Sequence, residues 1–139
     1  MGVMTNTTIV ISESSVASLD FTSNTVPTYG TNARVQMADG NMALWTGNVN
    51  TSEQIRFSGS ESDANSIKDH ILADPLNVLG FTTFSVTGYL SYDVDLNGFA
   101  RFSGSNNDSN IIKDNILGHP SNVLNFPTFT ISPTVPNSN

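Results

Sequence analysis

Cysteine is absent from these 139 residues, which excludes disulfides, thiolate metal sites and a cysteine nucleophile. A small exported domain without disulfides needs another staple, and a bound metal ion is the usual substitute. Basic side chains are scarce too: five lysines and arginines stand against twelve acids, for a net charge of −7. That balance argues against nucleic acid and anionic membranes as partners and in favour of cations. Two histidines and three glutamates leave little for acid and base work, and there is no nucleophile elbow, phosphate loop, HExxH run or pair of acids at helical spacing. The chain is therefore not expected to be an enzyme. No run of about 18 apolar residues is present, so no membrane insertion is expected. Nor is there a basic-then-apolar leader; if the protein is exported, its leader is expected to have been removed or to lie on a longer precursor. Charged residues make up only 12% of a chain rich in Asn, Ser and Thr, a composition that suits extracellular, cell-surface and adhesive proteins.

What is present is a duplication. Residues 56–86 and 101–131 align at a constant offset of 45 without a gap, and 19 of the 31 positions are identical. Arg56 falls on Arg101, Phe57 on Phe102, Ser58-Gly59-Ser60 on Ser103-Gly104-Ser105, Asp63 on Asp108, and Ile67-Lys68-Asp69 on Ile112-Lys113-Asp114. One supersecondary unit has been written twice.

The expected fold class is α+β, with a β-rich N-terminal part followed by two duplicated loop-helix-strand units in a pseudo-twofold arrangement. The boundaries read as 1–45 for the β-rich segment, 46–90 and 91–131 for the repeats, and 132–139 for a loose tail. In the first part, Thr7 to Ile11 reads as a strand, Val16 to Phe21 as a weaker one, and Arg34 to Trp45 as a hairpin around Asp39-Gly40, a dipeptide suited to positive φ. In the repeats, Asp63 and Asp108 are expected to cap helices whose apolar stripes are Ala64, Ile67, Ile71, Leu72 and Ile111, Ile112, Ile116, Leu117. Pro75 stops the first, and Gly118 with Pro120 the second. Phe81 to Val86 and Phe126 to Ile131 then read as extended. Neither helix is long enough to stand alone in water, so the two must pack on each other or on the β-part.

Asp93-Val94-Asp95-Leu96-Asn97-Gly98 precedes the second repeat. Oxygen side chains at alternate positions followed by a turn glycine are what a hard cation such as Ca2+ needs from a short loop. Asp93, Asp95 and Asn97 take the first three liganding places and Phe99 offers its carbonyl. Arg101 and Gly104 fall where a standard EF-hand loop has its last ligands, so Asp108 is the candidate closing acid. The aligned set in the first repeat is Asn48, Asn50, Ser52, Gln54 and Asp63, with Glu53 in the place of the turn glycine. Two carboxylates have become amides there, so one good site is expected, with the other weaker or empty.

With Phe102, Gly104, Asn107-Asp108 and the following helix, this pattern resembles the dockerin-like tandem calcium-loop modules of bacterial secreted and cell-surface proteins. The resemblance covers roughly residues 40–131. It implies calcium ligands from the alternate polar positions, closed by an acid at the start of the next helix: Asp93, Asp95, Asn97, the Phe99 backbone and Asp108. It also implies docking into a cohesin-like receptor as one way of working.

Other side chains read as structural. His70 and His119 occupy different repeat positions and read as surface residues. Arg56, Arg101, Lys68 and Lys113 read as partners of Asp69, Asp114 or loop carboxylates. The expected function is a noncatalytic, calcium-stabilised extracellular module serving structure, adhesion or protein attachment. One alternative is a self-assembling fibre subunit in which Thr7 to Ile11 joins a neighbour's sheet edge. Another is a carbohydrate-binding module whose Trp45, Tyr89, Tyr92, Phe57 and Phe102 stack on sugars. The partners expected are thus a protein, a second copy of the chain, or a glycan.

Overall fold

The computed structural model describes residues 2–14, 17–132 and 135. Two compact units emerge, Met1–Trp45 with Pro133–Asn139, and Thr46–Ser132.

In the first unit, β1 (Arg34–Gln36) and β2 (Met42–Leu44) pair antiparallel with Val35 opposite Ala43. The hairpin stands where the alternation placed it, but its turn differs. Five residues connect the strands, and only Gly40, at φ 88°, takes the positive φ expected of both Asp39 and Gly40. The Asp39 carboxylate instead accepts from the backbone and side-chain N–H groups of Asn41, at 3.0 and 2.8 Å, which lets one glycine close a longer loop. Thr7 to Ile11 forms no strand: Thr5 bridges Thr28, Ser12 stands in an isolated bridge, and Val10 and Ile11 between them stay exposed. Val16 lies outside the described residues, and Ala17 to Phe21 is not a strand either. There Asp20 accepts from Thr22 and starts a turn. Arg34 organises this irregular stretch, donating to the carbonyls of Phe21, Ser23 and Val26. Of the tail, 133–134 and 136–139 lie outside the described residues.

The second unit runs β3 (Ile55–Arg56), α1 (Asp63–Ala73), β4 (Ser85–Thr87), β5 (Phe99–Arg101), α2 (Asp108–Gly118) and β6 (Thr130–Ile131). The strands pair crosswise. The strand that leads into each helix is joined by the strand that follows the other helix, β3 with β6 and β5 with β4. Arg56 stands opposite Thr130 and Arg101 opposite Ser85, so exchanging the repeats maps one register onto the other. That is the pseudo-twofold arrangement expected from the duplication, and it brings the first strand of the unit to the last.

Each helix lays an isoleucine pair at i, i+4 on its inner side, Ile67 with Ile71 and Ile112 with Ile116, and all four are fully buried. Ile55, Ala100 and Ile131 from the strands complete the core between them. Fully burying an isoleucine contributes about 1.5–3 kcal/mol. Leu72 remains 39% exposed at the margin of the stripe. The helices pack against each other, as their length requires. Their caps are Ser62 and Asn107, whose side chains accept from the amides of Asn65 and Asn110. Asp63 and Asp108, expected as caps, are the first helical residues and are engaged elsewhere. The extended segments begin later than expected, because Phe81 and Phe126 each open a turn closed by the amides of Phe84 and Phe129.

One glycine is demanded by packing. Gly47 has φ 117°, and a Cβ there would lie 2.9 Å from Ile112 Cγ1 and 3.3 Å from Ile55 Cγ2. Gly47→Ala is expected to lower stability by about 1–3 kcal/mol through overpacking and backbone strain, read as a lower urea midpoint at unchanged m. An unchanged midpoint would show that the two isoleucines yield freely.

Candidate metal centre

In each repeat one buried carboxylate ties the loop to the strand beyond it. Asp108, with no exposed surface, accepts from the amide of Val94 through Oδ1 at 2.6 Å and from that of Arg101 through Oδ2 at 2.8 Å. Asp63 makes the same pair in the first repeat, with Val49 at 2.9 Å and Arg56 at 2.8 Å, plus a longer bond from Asn50. Because a first-turn carboxylate favours the positive end of the helix dipole, α1 and α2 are suited to hold these charges.

The second loop then adds two more acids. Asp93 is 3% exposed and accepts from the amides of Asn97 and Gly98 at 3.1 and 2.9 Å. Asp95 is exposed and accepts from the backbone and side chain of Asn97. Gly98, at φ 87°, makes the sharp turn. Oxygen atoms of Asp93, Asp95 and Asp108 come within 4.8 Å of one another, close enough to hold a metal ion. This donor set is all oxygen, with no imidazole or thiolate in the group, which suits a hard cation. Asn97 lies beside it, its Oδ1 accepting from the amide of Phe99 at 2.9 Å, and Phe99 itself sits in β5 opposite Thr87.

The first loop keeps the path and changes the chemistry. Thr51 and Glu53 adopt φ of 63° and 64°, where the second loop has Leu96 at 59° and Gly98 at 87°. Asn48 and Asn50 stand in the places of Asp93 and Asp95. Asn50 donates to the carbonyl of Glu61 at 2.8 Å and accepts from the amide of Ser52, while Ser52 Oγ donates to the carbonyl of Gln54. The side chains of Asn50 and Ser52 are thus spent on nearby backbone, while the buried Oδ1 of Asn48 has no hydrogen-bond partner among the described residues. Asp63 is its sole carboxylate at an aligned liganding position.

Burial pushes the Asp63 carboxyl above its ordinary value, partly offset by the amides it accepts. Burial does the same to Asp108, where the charges of Asp95 and Asp93 push further in that direction. Three acids gathered at one point, two of them buried, repel one another unless a cation or a proton intervenes.

Several side chains depart from the surface roles expected for them. His119 is 6% exposed, caps α2 and accepts from the amide of Ser121 through Nδ1. His70 is half-buried and stacks on Tyr92, ring centroids 4.1 Å apart. Arg56 does pair with a loop carboxylate, Glu61 at 3.6 Å, as expected, whereas Lys68 donates to Asn65. Trp45 is buried and donates to the carbonyl of Asn32, so of the aromatics considered for sugar stacking Tyr89 is the one that stands well clear, at 79% exposed. Sequence reasoning passed over Asn77 and Asn122. Each is buried, donates to the helix carbonyl of Ile71 or Ile116, and spans a turn to Phe81 or Phe126 with identical bonds. Their recurrence at the repeat offset was the available signal.

Comparison with family models, with curated proteins and with solved structures finds no match for this chain.

Asp63 offers a test of the carboxylate bridge away from the three-acid cluster. Asp63→Asn keeps one acceptor and turns an NH2 group towards a backbone N–H, so it is expected to cost about 1–3 kcal/mol. The raised folded pKa means that the native protein gains stability from protonation and loses it as pH climbs through that value. The asparagine variant lacks this loss, so the cost of the substitution should shrink from the ordinary carboxylate value of 3.8 towards neutrality. Denaturant melts of both proteins across that range check the trend, and a cost that grows with pH would contradict it.

Proposed function

We propose that the chain is a noncatalytic extracellular module in which one calcium ion, held by the second loop, steadies the duplicated unit for a structural, adhesive or attachment role. The observation that carries this reading is the meeting of Asp93, Asp95 and Asp108 within 4.8 Å around a glycine turn. A divalent cation there replaces like-charge repulsion with attraction. It also joins the loop to the first turn of α2, whose Ile112 and Ile116 belong to the core.

Asp93 and Asp95 are the primary ligands in this reading, Asp108 closes the shell from the helix, and Asn97 Oδ1 with the Phe99 carbonyl fills it. A site that leaves Asp95 exposed suits the weaker affinities of extracellular modules, where calcium is plentiful. The amide-for-acid replacements at Asn48 and Asn50, and the internal bonds of Asn50 and Ser52, support a first loop that needs no ion. The resemblance to bacterial dockerin-like modules agrees with this role and suggests a protein as the partner. Among the described residues no helix is long and apolar enough to cross a membrane.

An ion that binds only the folded loop adds RT ln(1 + [Ca]/Kd), about 2.7 kcal/mol at a hundredfold excess over Kd. Calorimetry should therefore show a higher Tm with calcium than after chelation, and titration should give one equivalent per chain. Asp93→Ala should abolish the calcium response, while Asn48→Ala should leave it in place. A Tm indifferent to calcium in metal-free buffer would end the proposal. An equal response to magnesium would overturn the choice of ion.

A further inference from the structure

Arg56 and Arg101 hold equivalent places in the two repeats, yet their guanidinium groups meet different fates. Arg56 Nη1 lies 3.6 Å from the Glu61 carboxylate and donates to the carbonyl of Ser60 at 3.2 Å. The position of Glu61 is filled in the second repeat by Asn106. No carboxylate of the described residues stands within 4.0 Å of Arg101. Its Nε donates to Ser85 Oγ at 3.0 Å, and its guanidinium carbon lies 5.0 Å from the centre of the Phe99 ring. These two contacts fix the plane of the group. Neither terminal amino nitrogen has a hydrogen-bond partner among the described residues.

Arg101 also lines an open groove of about 270 Å³ with Thr83, Ser85, Ser103, Gly104 and Ser105. Four hydroxyls, a fixed cation and a glycine at φ 96° make this lining mainly polar. Guanidinium cannot lose its charge, and its fork matches a carboxylate or sulfate edge with two parallel N–H bonds. The hydroxyls supply further donors and acceptors. Space beyond a single oxyanion, walled by hydroxyls rather than apolar groups, calls for a hydroxylated ligand body. In a protein of net charge −7 the long-range field repels anions, so any affinity must come from these local contacts.

We propose that this groove binds the oxyanion of an acidic saccharide unit, with Arg101 as the bidentate anchor and the Thr83, Ser85, Ser103 and Ser105 hydroxyls around it. The carboxylate of a uronic acid and the sulfate of a sulfated sugar share the required chemistry. In the first repeat, Glu61 occupies the arginine and leaves no such site.

The test is a titration, by calorimetry or amide NMR shifts, of the whole chain with glucuronate and with glucose 6-sulfate, both with calcium and after chelation. Methyl glucoside, acetate and inorganic sulfate serve as controls. At least one acidic sugar should bind in both buffers, more tightly than any control, and the one preferred identifies the source of the oxyanion. Arg101→Gln should weaken binding about tenfold or more, and Arg56→Gln should not. Asn106→Glu rebuilds the internal acid without removing the arginine and should abolish binding in a protein that still melts cooperatively. Glu61→Asn should release Arg56 and add a second binding equivalent. Failure of both acidic sugars to bind at millimolar concentration overturns the proposal, as does binding that survives Asn106→Glu. Binding of acetate or sulfate as tight as that of the sugars would reduce it to an adventitious ion only. Because the readout does not depend on calcium, its failure leaves the metal proposal standing, and the reverse holds as well.

Discussion

Everything in residues 46–132 turns on how one carboxylate per repeat bridges a loop to a strand. Asp63 and Asp108 are buried acids at the first position of their helices, and each joins an amide in the loop to the amide of an arginine seven residues before it. The core on its own fixes only isoleucines on helices and short strands. It is the bridge that sets where each loop sits over its helix, and so where the loop's own side chains meet. An apolar residue there would leave two backbone N–H groups without acceptors inside the fold, each costing on the order of 1–3 kcal/mol.

This explains why the first loop keeps its path after losing its acids. Thr51 and Glu53 hold positive φ, which is unfavourable for a β-branched residue and for a long side chain. The hydrogen bonds of Asp63, Asn50 and Ser52 over-determine the backbone and hold it there. In the second loop the glycine relaxes the turn, and the strain moves elsewhere: Asp93, Asp95 and Asp108 converge, and burial of Asp108 raises the free energy of its charged form. Both repeats share a positive φ, at Thr51 and Leu96, and a buried acid, at Asp63 and Asp108; the first adds backbone cost at Glu53, and the second adds the charges of Asp93 and Asp95.

The duplication made the second unit legible from sequence, because period, helix spacing and stop signals agreed. Ile67, Ile71, Ile112 and Ile116 were assigned to the core on periodicity alone. The crosswise strand pairing was not legible: nothing local in Ser85-Val86-Thr87 says that it joins Phe99-Ala100-Arg101 rather than its own repeat's Ile55-Arg56. The roles of Asp63 and Asp108 were half legible. A helix-start acid next to Ser62 or Asn107 reads as a cap, but the neighbour takes the cap and frees the acid to face the loop. In the first unit, local propensity failed at Thr7 to Ile11, where the strand-forming residues lie between isolated bridges at Thr5 and Ser12 and form no strand. Arg34, whose guanidinium gathers three carbonyls, carried no sequence signal at all.

The differences between the repeats are as informative as the identities. Both bridging aspartates, both asparagines that span the helix-to-strand turn and both arginines recur unchanged, and these hold the scaffold. Four exchanges fall on the loops at or beside the candidate site: Asn48 for Asp93, Asn50 for Asp95, Glu53 for Gly98 and Glu61 for Asn106. In the first repeat Asn50 and Glu61 are engaged inside the fold, Glu53 crowds the turn with a side chain, and Asn48 replaces a carboxylate with an amide whose buried Oδ1 has no hydrogen-bond partner among the described residues. The two acids missing at positions 48 and 50 are matched by two gained, Glu53 and Glu61, the latter paired with Arg56. Pairing keeps both repeats folded alike while leaving only the second with acids gathered for a cation and an arginine without a carboxylate. A symmetric scaffold held by the shared residues lets the loops differ, so ligand chemistry can be tuned in one repeat without disturbing the common core.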